Sequence, residues 1–289
     1  MGDSLLFYLR TVAKRLLVQM VSALDAKAAR KSQVRVLHSH YNTENVMKYK
    51  LTDETKEVLG RTLHRIVCVT AFASVSVGDV GGWVESENNL SQEGNAWVCG
   101  DALVYGNALV YGNAKVSGDA WVYGNAKVCG DAKVCGDAEV YGNALVYGNA
   151  WVYGNAWVSG NAWVYGNAKV YGNAWVSGDA EVYGNAEVYG DAEVSGNAEV
   201  SGNAEVYGDA EVSGNAKVEK SSDYAVYKNT WSSMRYFTWT RSNDKWAVGC
   251  FYGTGKELIA KAYNDSELSG KCYEAVVNMR NELTKLEQA

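Results

Sequence analysis

From Gly94 to Glu219 the chain repeats one hexapeptide 21 times without a gap, Gly-(Asn/Asp)-Ala-x-Val-(Tyr/Ser/Cys), with Glu219 closing the last copy, and Gly, Ala and Val never vary. Side chains on a strand alternate between faces with period two. Ala and Val, two apart, therefore point one way, and x and the last residue point the other. By this pattern Ala96 and Val98 face in, while Trp97 and Cys99 face out. Gly-Asn and Gly-Asp supply the corner, because Gly takes positive φ freely and Asn and Asp tolerate it. Each hexapeptide is thus one short strand and one bend. So short a strand cannot bury its inner face alone, but stacked coils can, and a β-solenoid follows.

The last position of the unit sets the coil length. Identical residues recur there in 10 of 18 pairs at a lag of three hexapeptides, against 7 of 20 at a lag of one and 5 of 19 at a lag of two. Three hexapeptides per coil therefore give a triangular section. Tyr105, Tyr123 and Tyr141 form one column, which Ser159, Ser177, Ser195 and Ser213 continue. Tyr153, Tyr171, Tyr189 and Tyr207 form another. Five of the seven Asp variants (Asp101, Asp119, Asp137, Asp191 and Asp209) share a third column. Twenty-one strands make about seven coils, a rod of roughly 34 Å.

The run Val104 to Leu109 resembles the bacterial hexapeptide repeat of left-handed β-helix proteins. That resemblance spans the repeat tract and implies a left-handed triangular β-helix; the handedness comes from the resemblance alone, against the general preference for right-handed crossovers. A second resemblance lies in Met47 to Thr55, Leu63 to Ile66, Gly78 to Glu85 and Asn89 to Glu93. These segments are similar to the opening of phage and prophage hexapeptide-repeat proteins of unsettled function. The resemblance implies a phage or prophage origin and a place in the bacterial host cytoplasm or the virion. In that group the chain usually starts at the Met of Met47-Lys-Tyr. Residues 1–46 are therefore expected to be either upstream sequence translated by artefact or an amphipathic helix over Leu5 to Leu24. Residues 47–93 read as an amino-terminal cap with a degenerate first coil. Capping suits both ends, because an open sheet edge templates aggregation.

After Glu219 the composition changes. Arg235 to Thr240 and Lys245 to Phe251 read as a hairpin across Ser242-Asn243-Asp244. Thr254-Gly-Lys-Glu257 reads as a capping box opening a helix over 255–265. A second helix over 270–287 carries the stripe Val276, Met279, Leu283 and Leu286. Residues 220–289 are thus a small α+β carboxy-terminal module with the order ββαα.

The net charge of −6 argues against direct nucleic-acid binding. No apolar run is long enough to cross a membrane as a helix. Hexapeptide-repeat enzymes, acyltransferases and zinc-dependent carbonic anhydrases, carry His on their coils. Here His38, His40 and His64 all precede the repeat, so no catalytic residue, metal site or cofactor is expected, and a transferase label would reflect fold alone. Gly253-Thr-Gly-Lys256 lacks the full phosphate-loop pattern. The expected contacts are outward aromatics. Trp151, Trp157 and Trp163 fall in one coil with Tyr153 and Tyr165 beside them, and Trp175 stacks under Trp157. The readings are an oligomer interface, a trimer being possible since left-handed β-helix proteins commonly form trimers, or a platform for a glycan. From Gly178 to Ser213 the coils carry Glu181, Glu187, Glu193, Glu199, Glu205 and Glu211, three Asp and no Lys or Arg. Such an acidic rod suits a DNA-mimicking inhibitor of a host protein, and the aromatics a virion or tail component that contacts glycan; both are structural or binding roles.

Overall fold

The structure is a computed structural model and describes residues 47–288. The expectations for residues 1–46, with His38 and His40, lie outside the described residues. Residues 94–219 form a triangular β-solenoid. Each hexapeptide contributes a two-residue strand, β4 to β24, running from Trp97–Val98 to Lys217–Val218. Every repeat strand but the last three pairs in parallel with the strand three hexapeptides on, as Glu139 with Trp157 and Trp157 with Trp175. Three sheets result, here the first, second and third faces. They contain Leu103–Val104, Trp97–Val98 and Leu109–Val110 respectively, and each has seven repeat strands.

The lining follows the period-two pattern throughout. Each Ala and Val of the repeat is shielded from solvent. These side chains fill the lumen layer on layer, and their burial is the main gain that holds the coil. The Gly corners are needed for two separate reasons. Gly160 has φ +67, and a Cβ there would lie 2.8 Å from the carbonyl oxygen of Gly178 in the next coil. No L side chain suits the first condition, and none has room for the second. Where Asn follows the Gly in successive coils, its side chains form ladders along the corners. Asn107 donates to Asn125, Asn125 to Asn143, Asn143 to Asn161 and Asn161 to Asp179. The run stops at Asp179, because a carboxylate accepts but cannot donate onward.

About one further turn precedes the seven. β1 (Tyr49–Val58) and β2 (Arg61–Cys68) form an antiparallel hairpin whose turn residues Leu59 and Gly60 both have positive φ. β3 (Val80–Val84) joins them to the first face. Here the lag is longer by two, with Trp83 opposite Leu103 and Leu90 opposite Val110. The extra pair, Gln92 and Glu93, fits between Ser91 and Asn95. Gln92 uses its amide as a pseudo-strand: Oε1 accepts from the Lys48 and Tyr49 N–H groups, and Nε2 donates to Tyr49 O. The Tyr49 ring is buried at the mouth of the lumen, and its hydroxyl donates to Leu90 O at 2.6 Å. Trp97 stands outside the lumen as its position demands, but Phe72 and Tyr49 cover it and leave it 6% exposed.

The other end is closed by hydroxyls and a carboxylate. Backbone N–H groups of the last coil would bond to a further coil if there were one. Instead Glu205 donates to Ser221 Oγ, Tyr207 to the Tyr224 hydroxyl, Glu211 to Thr238 Oγ1 and Lys217 to Ser242 Oγ. Glu219 and Lys220 both donate to Asp223 Oδ2. The module beyond has four antiparallel strands, β25 (Tyr224–Lys228), β26 (Tyr236–Thr240), β27 (Lys245–Val248) and β28 (Phe251–Gly253). Two helices follow, α1 (Gly255–Asp265) and α2 (Glu267–Gln288). The expected order ββαα is thus corrected to ββββαα. Gly249, at φ +55, splits the anticipated strand Lys245–Phe251 in two. Tyr224–Lys228 pairs along its whole length with Tyr236–Thr240, a partner the sequence does not announce. Thr238 faces the coils while Phe237 and Trp239, its neighbours, pack with Trp246, Leu258, Tyr273 and Val277. The helices therefore lie on the side of the sheet away from the solenoid.

Candidate functional site

The outward columns differ sharply between faces. The tyrosines stack in ladders. Tyr153, Tyr171, Tyr189 and Tyr207 run down the second face with ring centroids 4.8, 4.9 and 5.3 Å apart and planes within 13° of parallel. Tyr147, Tyr165 and Tyr183 do the same on the third face, and Tyr105, Tyr123 and Tyr141 on the first. Within a ladder the stacked rings cover each other's faces, while Tyr207, at the end of one, is 49% exposed. Among the ladder hydroxyls, Tyr165 donates to Glu181, Tyr171 to Glu187 and Tyr189 to Glu205. Burial, reinforced by these carboxylates, pushes all three hydroxyls above the ordinary tyrosine range.

The four tryptophans are not one surface. Trp151 lies on the second face between Lys133 and Lys169, with Lys133 Nζ 4.3 Å from the ring centre. Trp163 is half-buried on the third face, beside the edge of Tyr147. Trp157 and Trp175 are adjacent on the first face, at 6.2 Å and 73°. This edge-to-face pair leaves them 43% and 39% exposed. Trp175 Nε1 donates to Ser159 Oγ. Beside them run the small residues Ser159, Ser177, Ser195 and Ser213, whereas Trp151, itself 41% exposed, has the Tyr153 ladder beside it.

The six glutamates are also unequal. Lys169 bridges to Glu187 at 2.7 Å on the second face, and Lys217 to Glu199 at 2.8 Å on the third. Both lysines lie just outside the acidic window, and only the stacking of one coil on the next connects them to it. Glu193 and Glu211 stand on the first face. Burial and the neighbouring Glu193 hold the Glu211 carboxyl above its usual range, opposed by a Gly249 N–H and by Arg235. The repeat's lysines (Lys115, Lys127, Lys133, Lys169 and Lys217) all belong to the second and third faces. The first face carries Glu139, Glu193 and Glu211, and Asp101, Asp119, Asp137, Asp191 and Asp209 line its leading corner. Arg65 of the hairpin meets Asp101 at 3.1 Å. Charge is therefore segregated by face, a pattern visible in the sequence only once it is wound three hexapeptides to the coil.

Other candidates resolve structurally. Among the described residues no three His, Cys, Asp or Glu side chains converge as metal ligands. His64 lies in the hairpin, its Nδ1 3.3 Å from Thr52 O. At Gly253–Lys256 the Thr254 hydroxyl accepts from Glu257 N, while Glu257 Oε2 accepts from Thr254 N. The helix's own carboxylate thus occupies the place a phosphate would take. A groove of about 800 Å³ beside the hairpin is lined by Arg61, Glu85, Asn89, Tyr105, Asn107 and Tyr123 among others. The Arg61–Glu85 pair within it is internally neutralised.

Residues 138–154, 150–166 and 162–178 match the family model of the YdcK beta solenoid repeat. The chain is a β-solenoid repeat protein there by sequence as well as by fold. Each matched segment is about one coil long, and together they contain Trp151, Trp157, Trp163 and Trp175. No curated protein matches the chain.

Proposed function

We propose that the protein is a non-enzymatic binding scaffold, whose first face engages a cation-bearing partner, a Lys- or Arg-rich protein segment. One observation carries this reading: exposed Trp157 and Trp175 stand on the one face whose repeats carry no lysine, between Glu139 one coil before and Glu193 one coil after, with Asp137 and Asp191 at the corners of those coils. Indole faces attract ammonium and guanidinium groups, and the surrounding acids raise their local concentration. The coil wall is stiffened by its hydrogen-bonded ladders, so the contact groups are held in place before binding and little ordering entropy is lost. A glycan platform is less well served, because the tyrosine rings hide the faces on which a sugar would stack. Self-association through this face would set carboxylate against carboxylate. An acyltransferase is not favoured, since the coils hold no His to act as the base.

The test uses protamine as a basic polypeptide probe in moderate salt. Trp157→Ala with Trp175→Ala should weaken binding about tenfold or more, from two indole contacts of roughly 0.5–1 kcal/mol or more each. Trp151→Ala with Trp163→Ala should change it less than about twofold. Equal losses from both double variants would refute the assignment to the first face.

A further inference from the structure

The carboxy-terminal helix α2 has two neighbouring apolar stripes; the module buries one and takes up Val276 at the edge of the other. Tyr273, Val277 and Arg280 are buried against the sheet and α1. Arg280 lies over the Trp239 ring at 4.6 Å and reaches Glu287 at 2.7 Å. The adjacent stripe is Cys272, Val276, Met279, Leu283 and Leu286, in alternating steps of four and three. Toward its carboxy-terminal end this stripe opens to solvent, with Met279 45%, Leu283 39% and Leu286 72% exposed. Single exposed apolar residues are ordinary, but a row on successive turns is not.

We propose that this stripe is a self-association seam, and that its occupant is the same helix of a second copy of the chain. Three features select that occupant. The alternating spacing is the heptad pattern in which knobs from one helix enter holes of an identical one. Within the 22-residue helix the stripe runs from Cys272 to Leu286, about two heptads. The charged residues Lys271, Glu274 and Lys285 lie off the stripe, and Lys285 is already paired with Glu282. A fourth feature makes the seam reachable. The helices lie on the side of the sheet away from the coils, so two copies can meet there without bringing their acidic first faces together. Because the module already holds the helix folded, association does not carry the cost of forming it, which a free peptide of this length would bear. Joined copies would present two first faces at once, and a repetitive basic partner would be held by avidity.

The experiment is the mass of the full chain by light scattering across a concentration series. The wild type should be a dimer or a higher oligomer that dissociates on dilution. Leu283→Glu with Leu286→Glu should shift the midpoint of dissociation by about a hundredfold or more, tenfold for each lost leucine burial. Both residues are exposed in the single chain, so the circular dichroism and melting of the dilute variant should match the wild type. Met279→Leu should keep the assembly. A wild type that is monomeric at every concentration would overturn the proposal, and so would a double glutamate variant that stays associated. Trp157→Ala with Trp175→Ala should leave the mass unchanged. The seam and the proposed binding face can therefore fail independently.

Discussion

Two glycines separate the energetic roles of the corner. Gly160 and Gly208 have nearly the same backbone, φ +67 and +65. A Cβ on Gly160 would sit 2.8 Å from Gly178 O and 2.9 Å from Gly178 N, whereas one on Gly208 would meet nothing within 4 Å. Alanine at either site carries the left-handed penalty, about 1–2 kcal/mol. At Gly160 the next coil must also move away, and overpacking of this kind costs about 1–3 kcal/mol more. Gly160→Ala should therefore destabilise by about 2–5 kcal/mol and Gly208→Ala by about 1–2 kcal/mol. Chemical denaturation measures both, with hydrogen exchange showing whether the loss centres on the coils around Gly160. Equal losses would mean that coil-to-coil approach does not explain why Gly never varies.

Two further outcomes follow from the ends of the solenoid. Burial holds the Lys48 ammonium, bonded to Ala96 O at 2.8 Å, down to about 8, against 10.5 in the unfolded chain. Between these values the folded state binds fewer protons, so this group adds stability as pH rises from about 8 towards 10.5 and contributes a constant penalty below. Buried thiols such as Cys68, whose ionisation is pushed up, act oppositely, so the readout is a difference. The advantage of Lys48→Met over wild type in urea should shrink between pH 7.5 and pH 9.5, and a constant or growing gap would contradict the assignment. At the far end, Thr238→Val keeps the shape but leaves the Glu211 N–H without its hydroxyl, and should cost about 1–3 kcal/mol in denaturant unfolding. A neutral effect would show that the last coil does not need this closure.

The coil itself was legible because one physical rule sets each position. Ala and Val line the lumen, Gly turns the corner, and the recurrence of Tyr and Ser at every third hexapeptide gives the register. The ends were harder to read. Gln92 and Glu93 shift the register by two, a change that makes sense only beside the backbone of Tyr49. Trp97 follows the outward pattern, yet loops distant in sequence cover it. In the carboxy-terminal module the Gly249 break and the pairing of Tyr224–Lys228 depend on tertiary context. For the candidate site, sequence located the tryptophans but not their inequality. Whether an indole stands beside Ser, Lys or a tyrosine ladder depends on the residues one coil away. The same holds for Lys169 with Glu187, which only stacking brings together.

The register can be tested through cysteines the chain already has. Cys99 and Cys135 share a column with Ser117 between them, each three hexapeptides from the next. Neighbouring coils are about 4.8 Å apart, so Cys99 and Cys135 are about 9.6 Å from each other. Dibromobimane fluoresces once both of its arms have reacted with neighbouring thiols. Ser117→Cys should give a fluorescent link from position 117 to Cys99 or Cys135, identified by peptide mapping, while the wild type gives none between Cys99 and Cys135. A wild-type link between those two, or a Ser117→Cys variant that links to neither, would contradict the three-sided coil of three hexapeptides on which the faces, the charge segregation and the proposed binding surface depend.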